Sequence, residues 1–128
     1  MIKLIKYISI IFFSYTCLIF QTANANEKIK IGLLVPMTGP HKDIGKSIIK
    51  AVGLAVKDID NNQIEIFPKD TASRANQTLK SAFELSQMGI KVVIGPVFHD
   101  SLTYLDEMEN LIFLSLTNKT LDLPKNVI

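Results

Sequence analysis

Residues Thr38 to Ser47 read TGPHKDIGKS and come within one residue of a phosphate-cradling loop. Such a loop needs Gly, four residues, then Gly-Lys-Ser/Thr, so that successive backbone amides wrap one phosphate while the lysine reaches the next. Here five residues, Pro40 to Ile44, separate Gly39 from Gly45, and the added residue turns the amides out of register. His41 and His99, with Asp70 and Asp100, are residue types that ligate metals. None of them has the tight spacing of a metal motif, so two exposed loop histidines is the simpler reading and no metal is expected. Ser101, His99 and Asp70 are the residue types of a hydrolase triad. No Gly-x-Ser-x-Gly elbow accompanies them and no oxyanion donors can be assigned, so neither enzyme activity nor a cofactor is expected. Asp70 reads instead as a cap on the helix that follows it, or as the fastener of its loop.

The amino end decides which chemistry the compartment allows. Met1 to Lys6 carries two lysines and no acid, Tyr7 to Phe20 is almost wholly apolar, and Ala23-Asn24-Ala25 is a small-x-small step. That order is a secretory signal peptide, expected to be cleaved after Ala25 and to deliver the chain to the periplasm. The apolar run is shorter than the roughly 20 residues a membrane-spanning helix needs. Cys17, the only cysteine, lacks the Leu and small residues expected around a lipoprotein site. Removing 25 of 128 residues leaves 103, with 12 basic and 12 acidic side chains once Lys3 and Lys6 are gone. The remaining chain is neutral and has no cysteine, so no disulfide can form in it. Its basic residues are scattered and do not alternate with aromatics, which argues against a nucleic-acid partner.

Apolar and amphipathic runs alternate along residues 28–115. Lys28 to Val35 predicts a strand. Lys42 to Ile59 predicts a helix with Ile48, Val52, Ala55 and Ile59 on one stripe, widened by Ile49 and Val56. Asn61-Asn62 signals a turn, and Ile64 to Phe67 a short strand closed by Pro68. Thr71 to Met88 predicts a second helix, capped by Thr71 or Ser73, with Ala75, Leu79, Ala82 and Phe83 on one face and Gly89 at its carboxyl cap. Val92 to Ile94 is a buried strand, Ser101 to Met108 a third helix with Asp100 as N-cap, and Leu111 to Ser115 a fourth strand. This β-α-β-α-β-α-β order with short connections implies right-handed crossovers and an α/β, doubly wound parallel sheet with helices on both faces. Ligands of such sheets bind beyond the carboxyl ends of the strands. Four loops lie there: Pro36 to His41, Pro68 to Thr71, Gly95 to Ser101 and Leu116 to Thr120.

The stretches IKIGLLVPMTGPHKDIGKSIIKAVGLAVKDID, PKDTASRANQTLKSAFELSQMGIKVVIGPVFHDS and NLIFLSLTNKT resemble, in order, the first lobe of type I periplasmic binding proteins, the leucine/isoleucine/valine-binding class. The likeness rests on the first strand, the Thr-Gly-Pro loop, a later Gly opening a long helix, Asp70-Thr71 after strand two, and the step from Gly89 to Gly95-Pro96. It covers nearly all of Lys28 to Thr120. IGPVF together with PKDT is closer to the penicillin-binding protein activators of the same fold. The resemblance implies ligand contacts at His99, Asp100 and Ser101 and at Ser115, Thr117 and Asn118. Amino-acid binders of the class carry small hydroxyl residues in the first of these loops to hold a carboxylate. Phe98 and His99 are bulky, and Asp100 would repel a carboxylate unless turned away as a cap.

Two function classes follow. One is an extracytoplasmic solute-binding component that closes two lobes on an amino acid or similar small polar ligand and presents it to a membrane permease. The other is a regulator of a peptidoglycan synthase that uses the same fold without transport. Acidic residues do not follow strand one, where Met37 and Thr38 stand, which excludes a response-regulator receiver. Residues 26–128 are expected to form a partial N-terminal lobe of a longer product.

Overall fold

The computed structural model describes residues 28–60, 62–119 and 123–128. The leader with its cleavage site, Asn61 of the first turn and Thr120 of the fourth loop lie outside these residues. Strand β1 spans Ile29–Val35, helix α1 Lys42–Ile59, β2 Ile64–Asp70, helix α2 Ala75–Gln87, β3 Val92–Ile94 and β4 Ile112–Leu114. All pairings are parallel and the sheet order is β2-β1-β3-β4. Val127 adds a single parallel bridge to Phe113 beyond β4.

Strand periodicity divides the sheet into two faces. Leu34, Val93 and Phe113 turn toward α2, where they form the main core with Ala82, Leu85, Ile90, Leu102, Leu105 and Leu111. Gly32 is on this face because a Cβ there would stand 2.7 Å from a Leu85 methyl. Leu33 turns the other way, toward α1, and shares a cleft with Ile49, Val52, Gly53, Ile66 and Pro68. The amino end of α1 presses on the carboxyl end of β1. A Cβ on Gly45 would fall 1.9 Å from the Pro36 carbonyl oxygen, so only glycine permits this approach.

Several boundaries differ from the sequence expectation. Strand β2 runs past Pro68 to Asp70. The Thr71 amide donates to Val35 O and the Ile29 amide donates to Gln63 O, so odd-numbered residues of β2 face β1. Proline's missing amide therefore falls on the open side of an edge strand, where it costs no ladder bond. Helix α2 starts four residues late because Ala72 and Ser73 both take left-handed backbone, φ 46° and 56°. Arg74 is its N-cap residue without a side-chain cap bond, so neither Thr71 nor Ser73 caps the helix. Its buried face is Thr78, Ser81, Ala82 and Leu85, and Phe83 is 53% exposed. Two buried hydroxyls displaced the expected stripe by finding acceptors: Ser81 donates to Asp70 O at 2.7 Å and Thr78 to Arg74 O at 2.9 Å. On α1, Ile48, Ile49, Val52 and Val56 are half-buried, whereas Ala55 and Ile59 stay exposed.

The expected third helix is two 3-10 turns, His99–Leu102 and Leu105–Glu107. Tyr104 between them has φ 73°, which ends the first turn. Asn126 Nδ2 donates to the carbonyls of Leu105 at 2.7 Å and Met108 at 3.0 Å, which ties the second turn to the segment before Val127. Asp100 lies inside the first turn and is not its cap; that position belongs to Phe98. The carboxyl end of α2 matches expectation. Gly89 has φ 76°, its amide bonds Ser86 O, and the Ile90 amide reaches back to Leu85 O, a Schellman closure with Ile90 in the core.

Candidate binding rim

Four loops leave the carboxyl ends of the strands, and one side chain ties the first two together. Asp70, the last residue of β2, accepts the Met37 amide at 2.7 Å and the Thr38 amide at 3.2 Å on Oδ1, and the Thr38 hydroxyl at 2.5 Å on Oδ2. Its Oδ1 also takes the Ala72 amide at 2.8 Å. Parallel pairing brings this about, since Val35 stands opposite Asp70 and the following residues emerge side by side. Burial works against the charged carboxylate. The Thr38 hydroxyl and the amides of Ala72, Met37 and Thr38 outweigh it, and the Asp70 carboxyl is held below its ordinary value. Of the two roles expected for Asp70, the structure shows the loop fastener.

His41 makes the next connection. Its Nδ1 shares a hydrogen bond with Ser73 Oγ at 3.2 Å, and its ring meets Phe98 with centroids 4.7 Å apart at 52°. The loops after β1, β2 and β3 are thus joined through an aspartate and a histidine. The loops after β3 and β4 are joined by backbone: the Gly95 amide donates to Leu114 O at 2.8 Å and the Leu116 amide to Pro96 O at 3.0 Å. Gly95 has φ 103°, and a Cβ there would lie 2.3 Å from Leu34 O.

The six residues singled out from sequence occupy these last two loops. Asp100 and Asn118 are exposed; His99, Ser115 and Thr117 are half-buried; Ser101 is 2% exposed. Ser115 Oγ accepts the Thr117 amide at 3.2 Å, and Thr117 Oγ1 accepts the Lys119 amide at 3.4 Å. His99 Nδ1 is buried without a hydrogen-bond partner. Sequence reasoning did not foresee the Thr38–Asp70 and His41–Ser73–Phe98 links. Their signal was Asp-Thr at the end of strand two facing Thr-Gly-Pro at the end of strand one.

The phosphate-loop resemblance finds a different use for its residues. Ser47 donates its hydroxyl to Asp43 O at 2.9 Å, within its own helix, and Lys46 Nζ stands 3.6 Å from Asp43. Among the described residues no group of three or more His, Cys, Asp or Glu is gathered to hold a metal ion.

Comparison with known proteins agrees with this geometry. The chain superposes on a leucine-binding protein, LivK, from Thermotoga maritima with a TM-score of 0.65 at 18% identity, over 71% of this chain and 28% of that one. A solute-binding protein of an ABC transporter from Rhodopseudomonas palustris, solved with 3,4-dihydroxybenzoic acid, gives 0.65 at 26% identity, over 70% and 27%. Full-length LpoA from Haemophilus influenzae gives 0.61 at 22% identity, over 73% and 17%. This chain therefore spans less than a third of the length of each of these structures. A search of curated protein sequences returns no match. The profile of the periplasmic binding protein family matches residues 28–122, and the chain belongs to that family.

Proposed function

We propose that the chain is the N-terminal lobe of an extracytoplasmic solute-binding protein, exported to the periplasm with its leader removed after Ala25. Its ligand is an amino acid or a similarly small polar molecule, passed to a membrane permease for ABC-type uptake. The observation that carries this reading is the rim fastened by Asp70 and His41 at the carboxyl ends of the strands. A solute-binding lobe needs a preformed half-cleft, because a rigid half lowers the ordering cost when the second lobe closes. His99, Asp100, Ser101, Ser115, Thr117 and Asn118 are the proposed first-lobe contacts. Asn118 and Asp100 offer accessible polar groups, and Thr117 a half-buried hydroxyl. Ser101 is closed off and its backbone amide already bonds Phe98 O, so of the six it acts by shaping the turn. A thermal-shift screen of the native product against amino acids and hydroxybenzoates tests the reading. A ligand present at 100 times its Kd raises stability by about 2.7 kcal/mol, well within detection.

A second reading has its own observation. Asp100 is exposed and does not cap a helix, so its carboxylate faces any ligand carboxylate brought to this loop, beside the bulky Phe98 and His99. That arrangement suits a regulator of a peptidoglycan synthase, for which the fold is a docking body. The C-terminal domain of LpoA, described as a regulator of PBP1A, shares the fold. Binding to a synthase with no response to any small ligand would support this alternative.

A further inference from the structure

The rim carries an aromatic step that its fastening does not require. His41 and Phe98 meet with ring centroids 4.7 Å apart and planes tilted by 52°. The loop holding His41 is already tied down by the Asp70 carboxylate, and the imidazole itself by Ser73 Oγ. Phe98 is half-buried and His41 is exposed, so ring surface stays open beyond the carboxyl ends of β1 and β3. Tilted rings are a favourable arrangement, and a further ring can join them offset or edge to face.

Side chains on the neighbouring loops favour a flat apolar guest. Met37, after β1, is 39% exposed, and Leu116, after β4, is 44% exposed. Both backbones are fixed, the Met37 amide by Asp70 and the Leu116 amide by Pro96 O, two residues before Phe98. Strands β1 and β4 flank β3, so at ~4.8 Å per strand the loops bearing Met37 and Leu116 leave the sheet ~10 Å apart, with the Phe98 loop between them. One six-membered ring bridges such a span. Polar side chains of the same rim serve the loops themselves: Asp70 takes four hydrogen bonds, Ser101 is buried, and Ser115 and Thr117 accept amides of their own turn. Asp100 and Asn118 remain exposed.

We infer that the solute received by this rim carries a planar aromatic ring, which packs against the His41–Phe98 step between Met37 and Leu116, and that His41 sets this preference. This rests on the solute-binding reading and narrows its small polar ligand to a ring compound with polar substituents. Asp100 accepts a hydrogen bond from an ammonium or hydroxyl group of such a ligand, and the Asn118 amide both donates and accepts. An aliphatic ligand would bury area against the same side chains but would lack the quadrupole that orients ring against ring. Discrimination should therefore follow flatness and not size.

Calorimetric titration of the native product with two matched pairs of probes tests this: phenylalanine against cyclohexylalanine, and benzoate against cyclohexanecarboxylate. Within a pair the charge and the carbon count are the same, and only the flat ring is replaced by a puckered one. At least one aromatic probe should bind, about 3- to 10-fold tighter than its saturated partner. His41→Ala should abolish that ratio, and His41→Phe, which keeps a ring at the position, should retain it. Loss of a loop fastener alone would weaken both members of a pair equally, so an unchanged ratio in His41→Ala overturns the assignment to His41. Equal binding within both pairs, or binding of an aliphatic amino acid with neither aromatic probe, overturns the ring and leaves the solute-binding reading standing. No heat with any probe or any amino acid overturns both.

Discussion

Asp70 is the residue on which the rim depends. Its carboxylate takes four hydrogen bonds from two loops, and bonds to a charged group contribute about 1.5–3 kcal/mol each when both partners are otherwise satisfied. Asp70→Asn keeps the size and removes the charge, and should lower stability by about 1–3 kcal/mol in urea denaturation. The pH dependence has a definite sign. A carboxyl held below its unfolded value stabilises the fold above that value, near 3.8, and the contribution is lost as pH falls through the lower folded value. Wild type should therefore lose more stability than Asp70→Asn when the pH is lowered from about 5 to about 2. Equal losses would place the stabilising charge elsewhere. Two glycines of α1 separate packing from propensity. Gly45→Ala gains about 1 kcal/mol of helix propensity but drives a methyl into the Pro36 carbonyl, so the net effect should be destabilising by about 1–3 kcal/mol. Gly53 has nothing within 4 Å of the same position, and Gly53→Ala should stabilise by about 0.5–1 kcal/mol.

At the scale of elements, patterns repeated over a long span were legible and those settled by a distant partner were not. Helix α1 was readable over all 18 residues because its apolar period and its opening glycine agree. The four parallel strands were readable from short β-branched runs between helical ones. Pro68 misled because a proline is excluded from a ladder only where its amide would face a neighbour, and strand order is not written locally. The third helix failed because Tyr104 takes left-handed backbone between two short turns, and the second turn is tied to Asn126, 18 to 21 residues downstream. Asn126→Ala should remove two side-chain bonds while the Met108 and Leu111 amides still bond these carbonyls, and cost about 0.5–1.5 kcal/mol, read as faster amide exchange around Leu105–Met108. The site loops were legible as loops from the strand ends. The Asp70 and His41 links were not, because they require knowing that β1 and β2 are neighbours in register.

The molecule as a whole has a fastened rim at one end of its sheet, a filled core behind α2, and exposed apolar side chains on β4, Ile112 and Leu114, on the other face. Under the proposed function the rim is one wall of a cleft, and closure of two lobes on a solute is driven by contacts the ligand makes to both. Isothermal titration of the native product, with Asn118→Ala beside wild type, tests solute binding at the rim most directly. A saturable heat is expected with one small polar ligand, weakened at least about 10-fold by a substitution on an exposed rim residue that leaves stability unchanged. Absence of heat with every amino acid and aromatic acid tried, alongside measurable binding to a peptidoglycan synthase, would contradict it.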